Sequence, residues 1–79
     1  MKIKQRKLAI IAGGGELVLS CIKACKKQNI KFLLIGIEGY YNSSYYQSHI
    51  NLSLNKIGNI FYILNKENIK NILFIGNVN

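Results

Sequence analysis

The apolar residues of this chain fall into short blocks, and several blocks have the pattern of buried strands. Leu8–Ala12 is continuously apolar and stops at three glycines, as is typical of a strand covered on both faces of a parallel sheet. The blocks at 31–37 and 71–75 have the same character, and each ends near glycine. The pattern predicts three buried strands, and a short apolar patch at 52–54 allows a fourth.

Two other stretches have helical spacing. The first helix is predicted from Glu16 to about Gln28. Its last turns carry lysines, whose positive charge interacts favourably with the negative end of the helix dipole. The second is predicted from apolar positions at i, i+3, i+4 and i+7, and Asn68 is its expected end. The apolar side of the first helix is predicted to be Leu17, Cys21, Ala24 and Cys25. The core-facing stripe of the second is predicted to be Ile57, Ile60, Phe61 and Leu64.

Strand, glycine turn, helix and strand in succession form a βαβ unit, which predicts an α/β fold. We expect a parallel sheet of three to four strands with two helices, in a single domain over residues 1–79. Two helices are few to cover both faces of such a sheet, and no helical pattern follows the last strand. The fold is therefore expected to be incomplete, with an apolar face that meets another copy, a separate chain or a C-terminal half.

Composition argues for a basic chain that is poorly equipped for catalysis. The 79 residues include 11 Lys and Arg against 3 Glu and no Asp, for a net charge of +8. The same excess of Lys, Asn, Ile and Tyr follows from A- and T-rich codons, and the charges are scattered along the sequence. We therefore do not expect a nucleic-acid partner. A small basic module that binds nucleic acid or anionic lipid stays open as the alternative function.

Three consecutive glycines, Gly13, Gly14 and Gly15, separate the first strand from the first helix. Glycines let the backbone turn sharply and approach a ligand, and the following helix start offers N–H groups to a phosphate. The third glycine of a dinucleotide fingerprint would fall at Val18, and no Gly-Lys-Ser/Thr of a P-loop follows. Glu16 is expected to cap the helix, although it competes with an anion. Phosphate binding and a plain tight turn both remain open.

The other reactive side chains have structural explanations. Cys21 and Cys25 lie one helical turn apart, but no further thiol is present, so core packing is expected and no metal site is predicted. His49 lacks an acidic partner in the sequence and is expected to be a solvated loop residue. The loop between 38 and 50 carries four tyrosines, which we expect to be half-buried against a neighbouring domain. These are Tyr40, Tyr41, Tyr45 and Tyr46.

Four segments, in order, resemble the LpxI-type UDP-2,3-diacylglucosamine pyrophosphatases of lipid A biosynthesis. LAIIAGGGEL at 8–17 is similar to the family's opening strand and turn, and IGIEG at 35–39 to its second strand and turn. LNKIGNI at 54–60 resembles a segment that opens the next helix, and NIKNILFIGNV at 68–78 resembles a strand that ends in a Gly-Lys-Val or Gly-Gly-Val turn. Together they span nearly the whole chain.

The resemblance implies the N-terminal, Rossmann-like part of a two-domain enzyme that hydrolyses UDP-2,3-diacylglucosamine to lipid X and UMP. The family's catalytic acids belong to the C-terminal domain, so no catalytic residue is assigned here and the chain is expected to be truncated and inactive alone. The implied cofactor of the complete enzyme is a divalent cation, Mg or Mn. The implied partner is UDP-2,3-diacylglucosamine, bound once a C-terminal domain completes the cleft; a split partner chain or a homo-oligomer is also open.

By position, the resemblance places Gly13, Gly14 and Gly15 along the substrate cleft, where three further residues could join them. These are Gly58, Gly76 and Asn77. The chain departs from the family pattern at Val18, where proline is usual, and after the last turn, where a basic residue and a proline are absent.

A cytoplasmic location is expected, with peripheral contact to the inner membrane left open. The reason is that Gly13-Gly14-Gly15-Glu16 interrupts the apolar stretch that a signal peptide needs. The opposing hypothesis is an exported lipoprotein cleaved before Cys21, which the basic N-terminus with Lys2, Lys4, Arg6 and Lys7 suggests.

Overall fold

The computed structural model describes residues 8–78 and is built on a parallel four-stranded sheet of order β3-β2-β1-β4. The predicted α/β fold is confirmed, and the strand order is that of the first four strands of a Rossmann-like sheet. The basic N-terminal residues before Leu8 lie outside the described residues. The strands are β1 (Leu8–Ala12), β2 (Phe32–Ile37), β3 (Ile50–Leu52) and β4 (Asn71–Ile75).

One helix covers each face of the sheet. Helix α1 (Leu17–Lys27) packs on the face that includes Ile10 and Leu34. A 3₁₀ segment (Leu54–Asn59) leads into the short helix α2 (Ile60–Lys66), which packs on the opposite face. Strands β1 and β2 are thus enclosed between two helical layers, which explains why both are continuously apolar. Among the residues described, no helix has the length and apolar character to cross a bilayer.

The predicted helix faces need correction. Helix α1 buries Val18, Ile22 and Cys25, whereas Leu17 is 67% exposed. This helix is apolar around much of its circumference, so periodicity alone does not choose between two faces that lie side by side. In the second stripe only Ile60 and Leu64 are buried; Ile57 and Phe61 are exposed. Ile57 belongs to the 3₁₀ segment, whose different turn breaks the α-helical spacing on which the prediction relied.

Strand β4 lies at the edge of the sheet and is exposed on both faces. In the register with β1, Leu73 pairs with Ile10 and Phe74 with Ile11, so the two β4 side chains point to opposite faces. Phe74 is 64% exposed, although its partner in β1 is buried. The expected uncovered apolar surface of the sheet is therefore present on β4.

Both helices end in the same Schellman motif, written in the sequence as Lys-Gln-Asn-Ile-Lys at 27–31 and Lys-Glu-Asn-Ile-Lys at 66–70. The two asparagines have positive φ, 58° for Asn29 and 60° for Asn68. In each motif the isoleucine N–H donates to the carbonyl five residues earlier, at 2.9 Å. The asparagine N–H donates to the carbonyl three residues earlier, which completes the motif. The predicted helix end at Asn68 is confirmed.

The tyrosine-rich loop between β2 and β3 folds back over the α1 face of the sheet. Tyr41, Tyr45 and Tyr46 are half-buried against the apolar cluster that includes Phe32. The Tyr41 hydroxyl donates a hydrogen bond to the Tyr46 carbonyl, and burial raises the pKa of this hydroxyl. The predicted half-burial of these tyrosines is confirmed, and their own sheet supplies it. Their contact with a neighbouring domain stays a prediction.

His49 ties the end of this loop to the centre of the sheet. Its backbone N–H donates to the Leu34 carbonyl, and the Leu34 N–H donates to His49 Nδ1, both at 2.9 Å. The imidazole nitrogen thus stands where a longer β3 would present a backbone carbonyl to β2. Because Nδ1 accepts a hydrogen bond, this nitrogen is unprotonated. The side chain is exposed as predicted, but it has a structural role that the sequence did not indicate.

Replacing Asn68 by alanine should destabilise the fold by about 1 kcal/mol, because alanine lacks the short polar side chain whose local hydrogen bonding lets asparagine adopt the left-handed conformation. Asn68→Gly should retain or raise the stability, since glycine adopts this conformation freely. Urea unfolding of the two variants measures the difference. Equal losses for both would show that the asparagine side chain, and not the backbone conformation, is what matters.

Replacing His49 by alanine should cost about 1–2 kcal/mol of unfolding free energy, because the N–H of buried Leu34 loses its acceptor. His49→Asn is the matched control, since its amide oxygen can occupy the position of Nδ1 and should recover most of the loss. Thermal unfolding followed by circular dichroism measures both. If the asparagine variant is as unstable as the alanine variant, the acceptor role is refuted.

Candidate functional site

The turns after β1 and β4 meet at the carboxyl edge of the sheet. The Gly13 N–H donates to the Ile75 carbonyl at 2.9 Å. Gly14 and Asn77 exchange two backbone hydrogen bonds of 2.8 Å each, which form an isolated antiparallel bridge. The chain leaves β1 toward β2 on one side and reaches β4 on the other, so this is the topological switch point where α/β sheets bind ligands.

Close contact with a backbone oxygen explains why positions 13 and 76 are glycine. A Cβ on Gly13 would lie 2.6 Å from the Asn77 carbonyl oxygen. Gly76 has a φ of 100°, and a Cβ there would lie 2.7 Å from the Gly14 carbonyl oxygen. A Cβ on Gly14 would come within 3.0 Å of the Tyr40 carbonyl oxygen, so the turn after β2 also reaches this point. The N–H groups of Gly13 and Gly14 already donate to the carbonyls of Ile75 and Asn77.

The third glycine differs from the first two. Gly15 is exposed, has a φ of 105°, and lies beside the side-chain amide of Asn77, whose Nδ2 would be 3.5 Å from a Cβ at this position. Glu16 occupies the N-cap position of α1, but its side chain makes no capping hydrogen bond, so the predicted cap is wrong. Helix N-terminal N–H groups and an amide NH₂ are donors that suit an anionic oxygen. The donors available to a ligand thus lie at Gly15, the start of α1 and Asn77.

Gly58 lies elsewhere in the fold. It belongs to the 3₁₀ segment that follows β3, and β2 separates that strand from β1. No atom lies within 4 Å of a Cβ built at Gly58. The structure brings five of the six predicted site residues together and leaves Gly58 apart from them.

The titratable side chains of the described residues do not assemble into a metal centre. Over residues 8–78, no three His, Cys, Asp or Glu side chains lie close enough together to hold a metal ion. Cys25 is buried on the core-facing side of α1, and Cys21 packs partly against the same core, so the predicted structural role of the two thiols is confirmed. Burial, and then the neighbouring Cys25 thiol, raise the pKa of Cys21 and favour its protonated form. Of the glutamates, Glu16 and Glu38 follow β1 and β2 at the carboxyl edge.

Gly13→Ala should destabilise the protein by about 1–3 kcal/mol, because the new methyl group collides with the carbonyl oxygen of Asn77. Gly58→Ala adds the same methyl group in open space and should change the stability by less than about 0.5 kcal/mol. Chemical denaturation of both variants tests the comparison. A tolerated alanine at Gly13 would contradict the close contact between the two turns.

A family model described as the LpxI N-terminal domain matches residues 7–79, a span that includes both turns and all four strands. Among curated proteins, none matches the chain. The matched span covers far more than half of the sequence and contains every predicted site residue. The chain therefore belongs to the LpxI N-terminal domain family, a family of lipid A biosynthesis enzymes.

Proposed function

We propose that this chain is the substrate-contacting N-terminal part of a hydrolase that cleaves the pyrophosphate of UDP-2,3-diacylglucosamine. The observation that carries the proposal is the pair of turns at the switch point, where exposed amide donors border the carboxyl edge of the sheet. Membership of the LpxI N-terminal domain family supports the choice of substrate. The products are lipid X, which is 2,3-diacylglucosamine 1-phosphate, and UMP.

The reaction explains why amide donors would matter. Water attacks one phosphorus atom, the bond from that phosphorus to the bridging oxygen breaks, and the second phosphate leaves with the bridging oxygen. The two protons of the water end on the products or in solvent, so the reaction needs no oxidant or reductant. Negative charge grows on the bridging oxygen, which departs with the leaving phosphate, and fixed N–H donors stabilise such charge without reorganising.

The residues of the two turns divide into a frame and a contact surface. Gly13, Gly14 and Gly76 form the frame, because their backbones pack against one another and their absent side chains permit it. Gly15 and Asn77 form the contact surface, since both are exposed and the Asn77 amide lies beside Gly15. This assignment narrows the predicted phosphate loop to its last glycine and the neighbouring helix start. Gly58 is not part of it.

The hydrolytic step is assigned to groups that these residues do not supply. The carboxylates nearest to the contact surface in the fold are Glu16 and Glu38. In the described part of the chain, neither belongs to a group of three side chains that could ligate a metal ion. The described residues therefore do not fit a divalent-cation site, and we derive no step through Mg or Mn. The chain is proposed to bind and orient the diphosphate, with catalytic carboxylates contributed from outside it.

Binding of UDP-2,3-diacylglucosamine by the chain tests the assignment. In amide-resolved NMR, substrate should shift the signals of Gly15, the start of α1 and the Asn77 side chain, while Gly58 stays unchanged. Asn77→Asp should weaken binding about tenfold or more, because it replaces a donor with a negative charge. Asn59→Asp is the matched control, since it makes the same charge change on an exposed residue beside Gly58. It should leave the affinity nearly unchanged.

Two outcomes would refute the proposal. Equal losses in the two aspartate variants would show that overall charge, and not the Asn77 amide, governs binding. Release of UMP by the chain alone, with Mg or Mn present, would show that the hydrolytic groups lie within these residues.

A further inference from the structure

The lysines that are scattered along the sequence converge on one edge of the folded sheet. Phe32 and Asn71 both pair with Leu8, so Lys31 and Lys70 immediately precede the same first rung of the sheet. They flank β1 on either side, on strands about 10 Å apart. The amino edge of the sheet therefore presents two exposed cations, one on each side of β1.

The helix ends bring further lysines to this edge. In a parallel sheet each connecting helix runs back toward the amino ends of the strands, and the last turn of α1 carries Lys26 and Lys27 while that of α2 carries Lys66. The two Schellman motifs set one lysine at the helix end and another before the next strand, at 27–31 and 66–70. We call this surface the basic edge. Its members are Lys26, Lys27, Lys31, Lys66 and Lys70, all exposed.

The charge is segregated along the strand direction. Glu16 and Glu38 lie at the opposite, carboxyl edge, where Lys56 is the one described lysine; Glu67 is the one described acid at the basic edge. Strands of five residues separate the two edges by about 17 Å. This is about twice the screening length at physiological salt, roughly 8 Å. The basic edge is therefore too far from Gly15 to serve an anion bound there.

The side chains at this edge suit a lipid surface better than a nucleic acid. Among residues 8–78 its cations are all lysines, whereas the planar, bidentate recognition of phosphates and bases relies mainly on arginine. Ile30, between two of the lysines, is 38% exposed and can enter the headgroup layer. Lys26 Nζ lies 4.5 Å from the centre of the Tyr46 ring, which holds an amphipathic aromatic side chain at the same edge.

We propose that the basic edge is a docking surface for an anionic phospholipid membrane. Its lysines contact the headgroups, and Ile30 inserts at the interface. The proposal does not depend on the pyrophosphatase assignment, because it concerns the opposite edge of the sheet.

Co-sedimentation of the full chain with vesicles tests the proposal. Binding is expected to equimolar phosphatidylglycerol and phosphatidylcholine, not to phosphatidylcholine alone, and to be lost in about 1 M salt, where screening is strong. Lys70→Glu should weaken binding about 25-fold, since each unit of charge near an anionic surface contributes about fivefold. Lys56→Glu makes the same charge change at the carboxyl edge and should weaken binding less than about threefold. Circular dichroism confirms that both variants are folded.

A second pair of measurements separates a membrane from a nucleic acid. Ile30→Ser should weaken vesicle binding severalfold and leave binding to a random double-stranded RNA unchanged, because only the bilayer accepts the apolar side chain. If Lys70→Glu and Lys56→Glu weaken vesicle binding equally, the basic edge is not the docking surface. Binding to phosphatidylcholine vesicles that is as tight as binding to anionic vesicles would also refute the proposal. Tighter binding to RNA than to anionic vesicles, with no effect of Ile30→Ser, would overturn the membrane in favour of nucleic acid.

Discussion

The structure depends on the contact between the turns that follow β1 and β4. These turns are more than sixty residues apart in the sequence, yet Gly14 and Asn77 bond each other through both backbone groups. The contact requires that Gly13 and Gly76 have no side chain, because a Cβ at either position would lie within 2.7 Å of a backbone oxygen. It anchors the exposed edge strand to the centre of the sheet. It also uses the first two amides of the glycine turn, so any ligand meets the donors beyond them.

The two ends of the sheet have different chemistry, and each follows from the direction of the chain. At the carboxyl edge the strands open into glycine turns with exposed amide donors and two glutamates. At the amino edge, helix ends and strand starts collect the lysines, as helix C-termini favour. A basic composition is therefore not a uniform property of the surface. The fold separates an edge that carries exposed amide donors and two glutamates from an edge that collects lysines.

The predictions succeeded where a residue's preference is local. Continuous apolar runs indicated β1, β2 and β4. Asn68 indicated the end of α2, because the left-handed conformation that ends a helix depends on the backbone preference of a single residue. They failed where a choice depended on distant partners. The faces of α1 and the role of His49 both depend on the shape of the assembled sheet. The sequence predicted that the three glycines after β1 form a turn, but it did not indicate that Asn77 packs against this turn.

The sequence by itself determined that this protein is an α/β domain with glycine turns between strands and helices, because apolar period and glycine placement act over a few residues. It also carried the resemblance to the LpxI family. Only the tertiary structure decided which glycine amides stay available, that Gly58 lies apart from the others, and that the lysines share one edge. These properties require strands distant in the sequence to lie side by side, and hydrogen bonding across the sheet is what selects that arrangement.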